Sequence, residues 1–195
     1  MILLHFCLSL RLKKNLNMKS IIVYYSRGGN NKYLAQKMGK SLQCEIVPIE
    51  PRITTFFLLL LRFSLGIKKI QRNFESYDRV YLVGPIWMGT LVKPLYDFIK
   101  KYQSKIKSLV FVTSCGSNYK MKEEKFGHGL VFQKVKAILS DKCIHCEAIP
   151  ISLVLPEDQR DNSDLVMKSK LSESTFGGDF EEIYNTFIEK MNKLS

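Results

Sequence analysis

The stretch SIIVYYSRGGNNKYLAQKMGKSL, residues 20–42, changes its period in the middle. Its first part, SIIVYY (20–25), is β-branched and aromatic, the composition of a short strand. Its last part, NKYLAQKMGKSL (31–42), sets Leu34, Ala35, Met38 and Leu42 at helical spacing. Between them lies SRGGNN, Ser26–Asn31, a polar connection with two adjacent glycines. A strand running through a tight turn into an amphipathic helix is the opening of a βαβ unit.

The alternation continues along the chain. CEIVPI (44–49), DRVYLVG (78–84), SLVFVTS (108–114) and CEAIPISLVL (146–155) read as further strands, each a near-continuous apolar run. Pro150 suggests an edge or a bulge in the last of them. Helices are expected over about 54–72, over 91–102 with Pro94 in the first turn, over 129–139 and over 179–194. Five strands alternating with five helices indicate an α/β fold: a three-layer, doubly wound, five-stranded parallel sheet. In such a sheet ligands bind beyond the carboxyl ends of the strands, near the point where strand order reverses. The loops after the first, third and fourth strands are therefore the place to look for function.

Size and composition agree with one domain. The chain has 195 residues, 46% of them hydrophobic, so it can bury a full core. Met18 begins the first strand directly, so residues 18–195 are expected to form the domain and 1–17 an N-terminal extension outside it. That extension, MILLHFCLSLRLKKNLN, carries its basic residues after its apolar run, unlike a signal peptide, and is too short to span a bilayer. A short amphipathic anchor is its functional alternative. Five cysteines (Cys7, Cys44, Cys115, Cys143, Cys146) without framework spacing read as reduced thiols, hence a cytoplasmic protein.

The formal charge of +12 attracts anionic partners in general. The lysines are scattered, and no run joins Lys/Arg density to stacking aromatics, so no nucleic-acid partner is expected. ITTFFLLLLRFSLGIKK, residues 53–69, is apolar nearly all round as a helix and is flanked by Arg52, Lys68, Lys69 and Arg72. One reading is a crossover helix with a greasy flank. The other is contact with a membrane surface or a second copy of the chain through 53–69.

Each of the three loops has a distinct chemistry. In SRGGNN, the amides around Gly28 and Gly29 and the opening of the next helix make an anion nest. Ser26, Asn30 and Asn31 could add side-chain hydrogen bonds, and Arg27 a positive charge; a plain tight turn with an Asn N-cap is the alternative. GPIWMGT (84–90) holds Trp87, the only tryptophan, between Pro85-Ile86 and Met88-Gly89. Its indole either stacks on a planar ligand or caps the core. TSCGSNY (113–119) offers Ser114, Cys115, Gly116, Ser117 and Tyr119, suited to a polar ring edge and its second face. Cys115 has no basic partner at a telling position and reads as a packing residue. Together the loops describe a ligand with a phosphate at one end and a planar heterocycle at the other.

These residues resemble the flavodoxin-like FMN-binding family. SRGGNN is similar to that family's Ser/Thr-x-Thr-Gly-x-Thr phosphate loop, aligned on Ser26, Gly28, Gly29 and Asn31, with Gly28 and Asn31 in place of two threonines. YDRVYLVGPIWMGTLVKP (77–94) is similar to its third strand and first flavin-flanking loop. The resemblance implies strand order 2-1-3-4-5, one non-covalent FMN, and electron transfer to or from a redox partner protein or a small-molecule donor or acceptor. It implies backbone contacts to the flavin from Ile86, Trp87, Met88 and Gly89 on one side, and from Cys115, Gly116 and Ser117 on the other. An electron carrier and an NAD(P)H- or quinone-dependent reductase both fit. A flavin-free signalling module on the same sheet is the rival, but a receiver domain needs acids where this chain has Ser26-Arg27 and Gly84-Pro85.

Two features lie outside that reading. CIHC (143–146) is a redox pair, half a zinc site, or two packing cysteines leading into the fifth strand; packing is the expectation. Residues 156–179 form a long polar segment, either a flap over the cofactor or the carrier of a short helix around 164–168.

Overall fold

The computed structural model describes residues 18–53, 65–118, 120 and 122–194. Five parallel strands carry it: β1 (Ser20–Tyr24), β2 (Glu45–Pro48), β3 (Arg79–Val83), β6 (Leu109–Cys115) and β7 (Cys143–Pro150). Their spatial order is β2-β1-β3-β6-β7, which is 2-1-3-4-5 counted over these five. A two-residue-per-arm hairpin, β4 (Ile86–Trp87) and β5 (Thr90–Leu91), stands apart from the sheet. The helices are α1 (Asn30–Leu42), α2 (Lys93–Tyr102), α3 (Gly129–Leu139), the short α4 (Ser163–Lys168) and α5 (Gly178–Lys193).

The pleat sorts the strand residues between two cores. Ile21, Val23, Val80, Leu82, Leu109 and Phe111 face α2 and α3, where Leu95, Phe98, Val131 and Val135 meet them. Ile22, Tyr81, Val83, Val110 and Val112 face α1 and α5, meeting Leu34, Met38, Phe180 and Phe187. Both faces are covered, which is why the central strands read as unbroken apolar runs rather than alternating ones. Among the described residues the one buried cation is Arg79, the first residue of β3, 4% exposed. Its guanidinium donates to Met191 O at 3.3 Å, to Leu194 O at 2.7 Å and to Tyr81 Oη at 3.3 Å. It thereby satisfies carbonyls at the negative end of α5, where a positive charge is favoured.

Two expected elements differ. Residues 65–72 are not helical: Gly66 adopts φ 82°, and Ile67 bridges antiparallel to Pro51. Most of the expected 54–72 helix, with the contact surface proposed for 53–69 and the 1–17 extension, falls outside the described residues. The fifth strand starts at Cys143 and ends at Pro150, after which Ile151–Val154 turn as a 3₁₀ helix. The CIHC motif is therefore inside the strand rather than ahead of it. Pro150, which lacks an N–H, is the strand's last residue, and β7 is a sheet edge.

Candidate functional site

Strand order reverses between β1 and β3, and the loops leaving their carboxyl ends diverge there. Those loops, with residues 114–118 and a fourth segment, enclose a cleft of about 820 Å³. That is within the range of small-molecule and cofactor sites.

At one end lies the turn into α1. Gly29 makes it possible with φ 97°, and its N–H donates to Ser26 Oγ at 3.2 Å. The Ser26 hydroxyl keeps its own proton to donate. No side chain caps α1 and no acid occupies its first turn, so its leading N–H groups and positive dipole end suit an anion. Lys170 adds a cation from far along the chain, its Nζ donating to Gly28 O at 3.3 Å. Arg27 borders the cleft beside it.

Asn30 and Asn31 also brace the walls of the cleft. Asn31 is 3% exposed and clamps β6: its Nδ2 donates to Ser114 O at 3.0 Å, and its Oδ1 accepts from Ser114 N at 2.9 Å. Asn30 clamps the segment before α5, donating to Ser169 O at 3.3 Å and accepting from Leu171 N at 3.0 Å. Both amides are anchored to backbone, each through one Nδ2 hydrogen and its Oδ1, and both residues also line the cleft.

The second wall is the β4–β5 hairpin. Met88 and Gly89 form its two-residue turn with φ 48° and 65°, the left-handed pair that a tight hairpin requires. A Cβ on Gly89 would collide with the carbonyl of Lys125, so the hairpin lies directly on the 125–126 backbone. Trp87 is half-buried. It packs on the α2/α3 core and edge-on to Tyr25 at 6.4 Å, and it also lines the cleft with Pro85, Ile86 and Met88.

Ser114, Cys115, Gly116 and Ser117 form the third wall, and Ser114 Oγ is buried without a hydrogen-bond partner among the described residues. Behind them stands His128, which the sequence reading did not connect to this loop. Its Nδ1 is 3.0 Å from Ser117 Oγ, which in turn is 3.2 Å from Cys115 Sγ. His128 is 1% exposed, and burial holds its imidazole below the ordinary histidine value. Cys115 is buried too, and the loss of water pushes its thiol up, away from the thiolate a nucleophile needs.

The fourth wall comes from residues 151–167, where the expected short helix of the polar segment is present as α4. Asn162 caps α4 through its Oδ1, which accepts from Asp164 N and Leu165 N, and α4 then presents Val166 and Met167 to the cleft. Arg160 is fixed by Asp179 at 2.7 Å and by Leu155 O at 3.0 Å. Leu171 is buried and Phe176 packs on Phe180 and Tyr184, which docks the rest of the segment against α1 and α5. Asn118, Phe126, Ile151, Arg160, Asp161, Ser163, Val166 and Met167 are thus lining residues that loop reading missed. Of the expected residues, Gly29 and Gly89 shape the walls without lining the cleft, and Tyr119 lies outside the described residues.

No model of a known protein family matches the chain, and no curated protein does. Solved structures do match in shape. A flavoprotein of Lactobacillus acidophilus NCFM, described in complex with FMN, superposes with TM-score 0.56 at 14% identity, over 67% of this chain and 93% of that one. A Bacteroides eggerthii protein described as a “putative flavoprotein” gives 0.55 at 19%, over 77% and 94%. A short-chain flavodoxin associated with a bacterial microcompartment gives 0.50 at 15%, over 91% and 98%. The shared architecture is the flavodoxin-like fold.

Proposed function

We propose that this chain, flavodoxin-like in fold, binds one FMN non-covalently in the cleft and transfers electrons through it. The carrying observation is the pairing of an uncapped helix N-terminus at one end of an 820 Å³ cleft with a tryptophan-bearing hairpin at the other. A bound FMN is also named for the Lactobacillus acidophilus neighbour.

The residues present fit the group. The phosphate is held by the N–H groups opening α1, by the Ser26 hydroxyl, and by the charges of Arg27 and Lys170. Trp87 and Met88 supply an apolar face, and Ser114 Oγ is a buried polar atom in need of a partner. FMN supplies the redox chemistry when bound. The chain positions it between the hairpin and the 114–117 wall, sets the polarity of its surroundings, and screens it from water on the buried side. His128, neutral and hydrogen-bonded to Ser117, fixes the hydroxyl nearest that wall.

A reductase with a small donor or acceptor is the second reading, supported by the rim of the cleft. Met88, Phe126 and Met167 are 67%, 50% and 78% exposed and all line the mouth, an apolar landing surface for a planar reactant. A redox protein as partner is the alternative occupant of the same mouth.

The test is reconstitution. Purified protein mixed with FMN and freed of excess is expected to retain the isoalloxazine absorption at one equivalent per chain. A colourless protein after reconstitution overturns the proposal. Oxidation of NADH or NADPH in the presence of a quinone then distinguishes the reductase from a carrier.

A further inference from the structure

The expectation that Cys143 and Cys146 merely pack treats them as strand neighbours three apart, which a regular strand would place on opposite faces. The structure has a bulge between them. Leu109 pairs with Cys143, and Val110 with His145, so that Ile144 is an extra residue, 43% exposed. Beyond the bulge, His145 turns to the α5 face, where its ring stacks on Phe187 at 6.2 Å and its Nε2 meets Glu147 Oε2 at 2.8 Å. Cys146 consequently returns to the α3 face, beside Cys143. Their sulfurs are 3.5 Å apart.

We infer that Cys143 and Cys146 are a dithiol–disulfide centre, separate from the cleft, that exchanges with low-molecular-weight disulfides. Closing the bond brings the sulfurs from 3.5 Å to about 2.05 Å, within reach of side-chain rotation. The pair lies toward the amino end of the edge strand, Cys143 opposite Leu109 and Cys146 opposite Phe111, with Cys143 9% exposed and Cys146 partly exposed. The cleft begins at Ser114, about 17 Å along β6 from Leu109 and about 10 Å from Phe111. The two thiols are not equivalent. Either sulfur can be the donor in the contact between them. That shared hydrogen bond, with Lys136 on α3 adding positive charge, holds Cys143 below an ordinary thiol, and the same contact together with burial pushes Cys146 up.

The exchange balances. Cys143 thiolate attacks one sulfur of a disulfide RSSR, forming a mixed disulfide and releasing RS⁻, which takes up a proton. Cys146 gives up its proton and attacks the Cys143 sulfur, which forms the intramolecular bond and expels the second RS⁻. Two protein thiols are oxidised and one RSSR is reduced to two RSH. Among the described residues no cluster of three or more His, Cys, Asp or Glu is placed to hold a metal, so the pair has no further ligands in view to become a zinc site.

The test treats the full-length protein with oxidised glutathione, blocks remaining thiols by alkylation, and maps the cysteines by peptide mass spectrometry. Expected is a Cys143–Cys146 disulfide that dithiothreitol reverses, alike with and without added FMN. The variant Cys146→Ser is expected to retain glutathione on Cys143. Both thiols remaining free, separate glutathione adducts on each, or a bond from either to Cys7, Cys44 or Cys115 would overturn the inference. The wild-type measurement stands by itself if the variant does not fold.

Discussion

On the β1 and β3 side of the cleft the chain turns within a few residues, at Ser26–Gly29 and at Met88–Gly89. On the β6 and β7 side it runs from 116 to 128 before α3, and from 151 to 177, with the short α4 inside, before α5. The short side takes its shape from backbone conformation: Gly29, Met88 and Gly89 all have positive φ. Among its described residues the long side has no positive φ, and it is held instead by side chains reaching across the sequence, Asn31 to Ser114, Asn30 to Ser169 and Leu171, Arg160 to Asp179. A cleft with one wall fixed by torsions and another by clamps should respond differently to mutation on its two sides.

The largest effect is expected from the clamp at Asn31. Replacing it by Leu leaves the N–H and the carbonyl of Ser114 buried without their partners, each a loss of about 1–3 kcal/mol. A destabilisation of about 3 kcal/mol in urea unfolding is expected, together with loss of FMN retention. A cost under about 1 kcal/mol would mean that the clamp does not hold the long side.

The torsional side has an internal control. Gly89 and Gly29 have similar positive φ, but a Cβ on Gly89 strikes the Lys125 carbonyl whereas one on Gly29 meets open space. Gly89→Val combines the left-handed penalty with the collision and is expected to cost about 2 kcal/mol or more. Gly29→Ala carries the torsional penalty alone, about 1 kcal/mol. Equal losses in thermal or urea unfolding would show that the hairpin does not rest on residues 125–126.

This contrast also accounts for what was legible in the sequence. Local chemistry showed itself: the apolar strand runs, Gly28-Gly29 before α1, Pro94 in the first turn of α2, and Trp87 between two turns. The clamps span 83 and 139 residues, and an isolated Asn carries no sign of its partner at that distance. Asn30 and Asn31 therefore read as phosphate donors. The polar segment 156–179 hid a wall because only Val166, Leu171 and Phe176 mark its inner face, although Asn162-Ser163-Asp164 was a usable helix-start signal. The bulge at Ile144 was invisible for the same reason that Cys143 and Cys146 read as mere packing: a one-residue slip reverses the faces, and composition does not show it.

A smaller effect is expected at His128, in the middle of the long side. Its folded-state value lies below the ordinary 6.5, mainly through burial and also through Lys122, with Glu123 and Glu147 opposing. The unfolded chain therefore takes up this proton at a higher pH than the folded one. Stability from this group is complete above about pH 6.5 and is lost as pH falls through the folded value. His128→Gln, which can keep a hydrogen bond to Ser117, is expected to flatten that part of the stability–pH curve in urea titrations. The carboxylates held down by partners, Asp78 by Lys107 and Glu45 by Arg72, titrate at lower pH.

The smallest structural effect and the most specific functional one are expected at the rim. Met167 is 78% exposed on α4 and has little packing to lose, so Met167→Ser should change stability by no more than about 0.5 kcal/mol. FMN affinity should also be unchanged, because the phosphate end and the Trp87 wall are untouched. What the substitution removes is apolar surface at the mouth, shared with Met88 and Phe126 across the cleft. Under the proposed function, electron transfer to a hydrophobic quinone should slow while transfer to a small charged acceptor such as ferricyanide does not, measured as rates of re-oxidation of the reduced protein. Equal slowing with both acceptors would assign Met167 to holding the cofactor. No slowing with either would move the landing surface to the hairpin side, where Met88 sits at the tip of the turn that Gly89 makes possible.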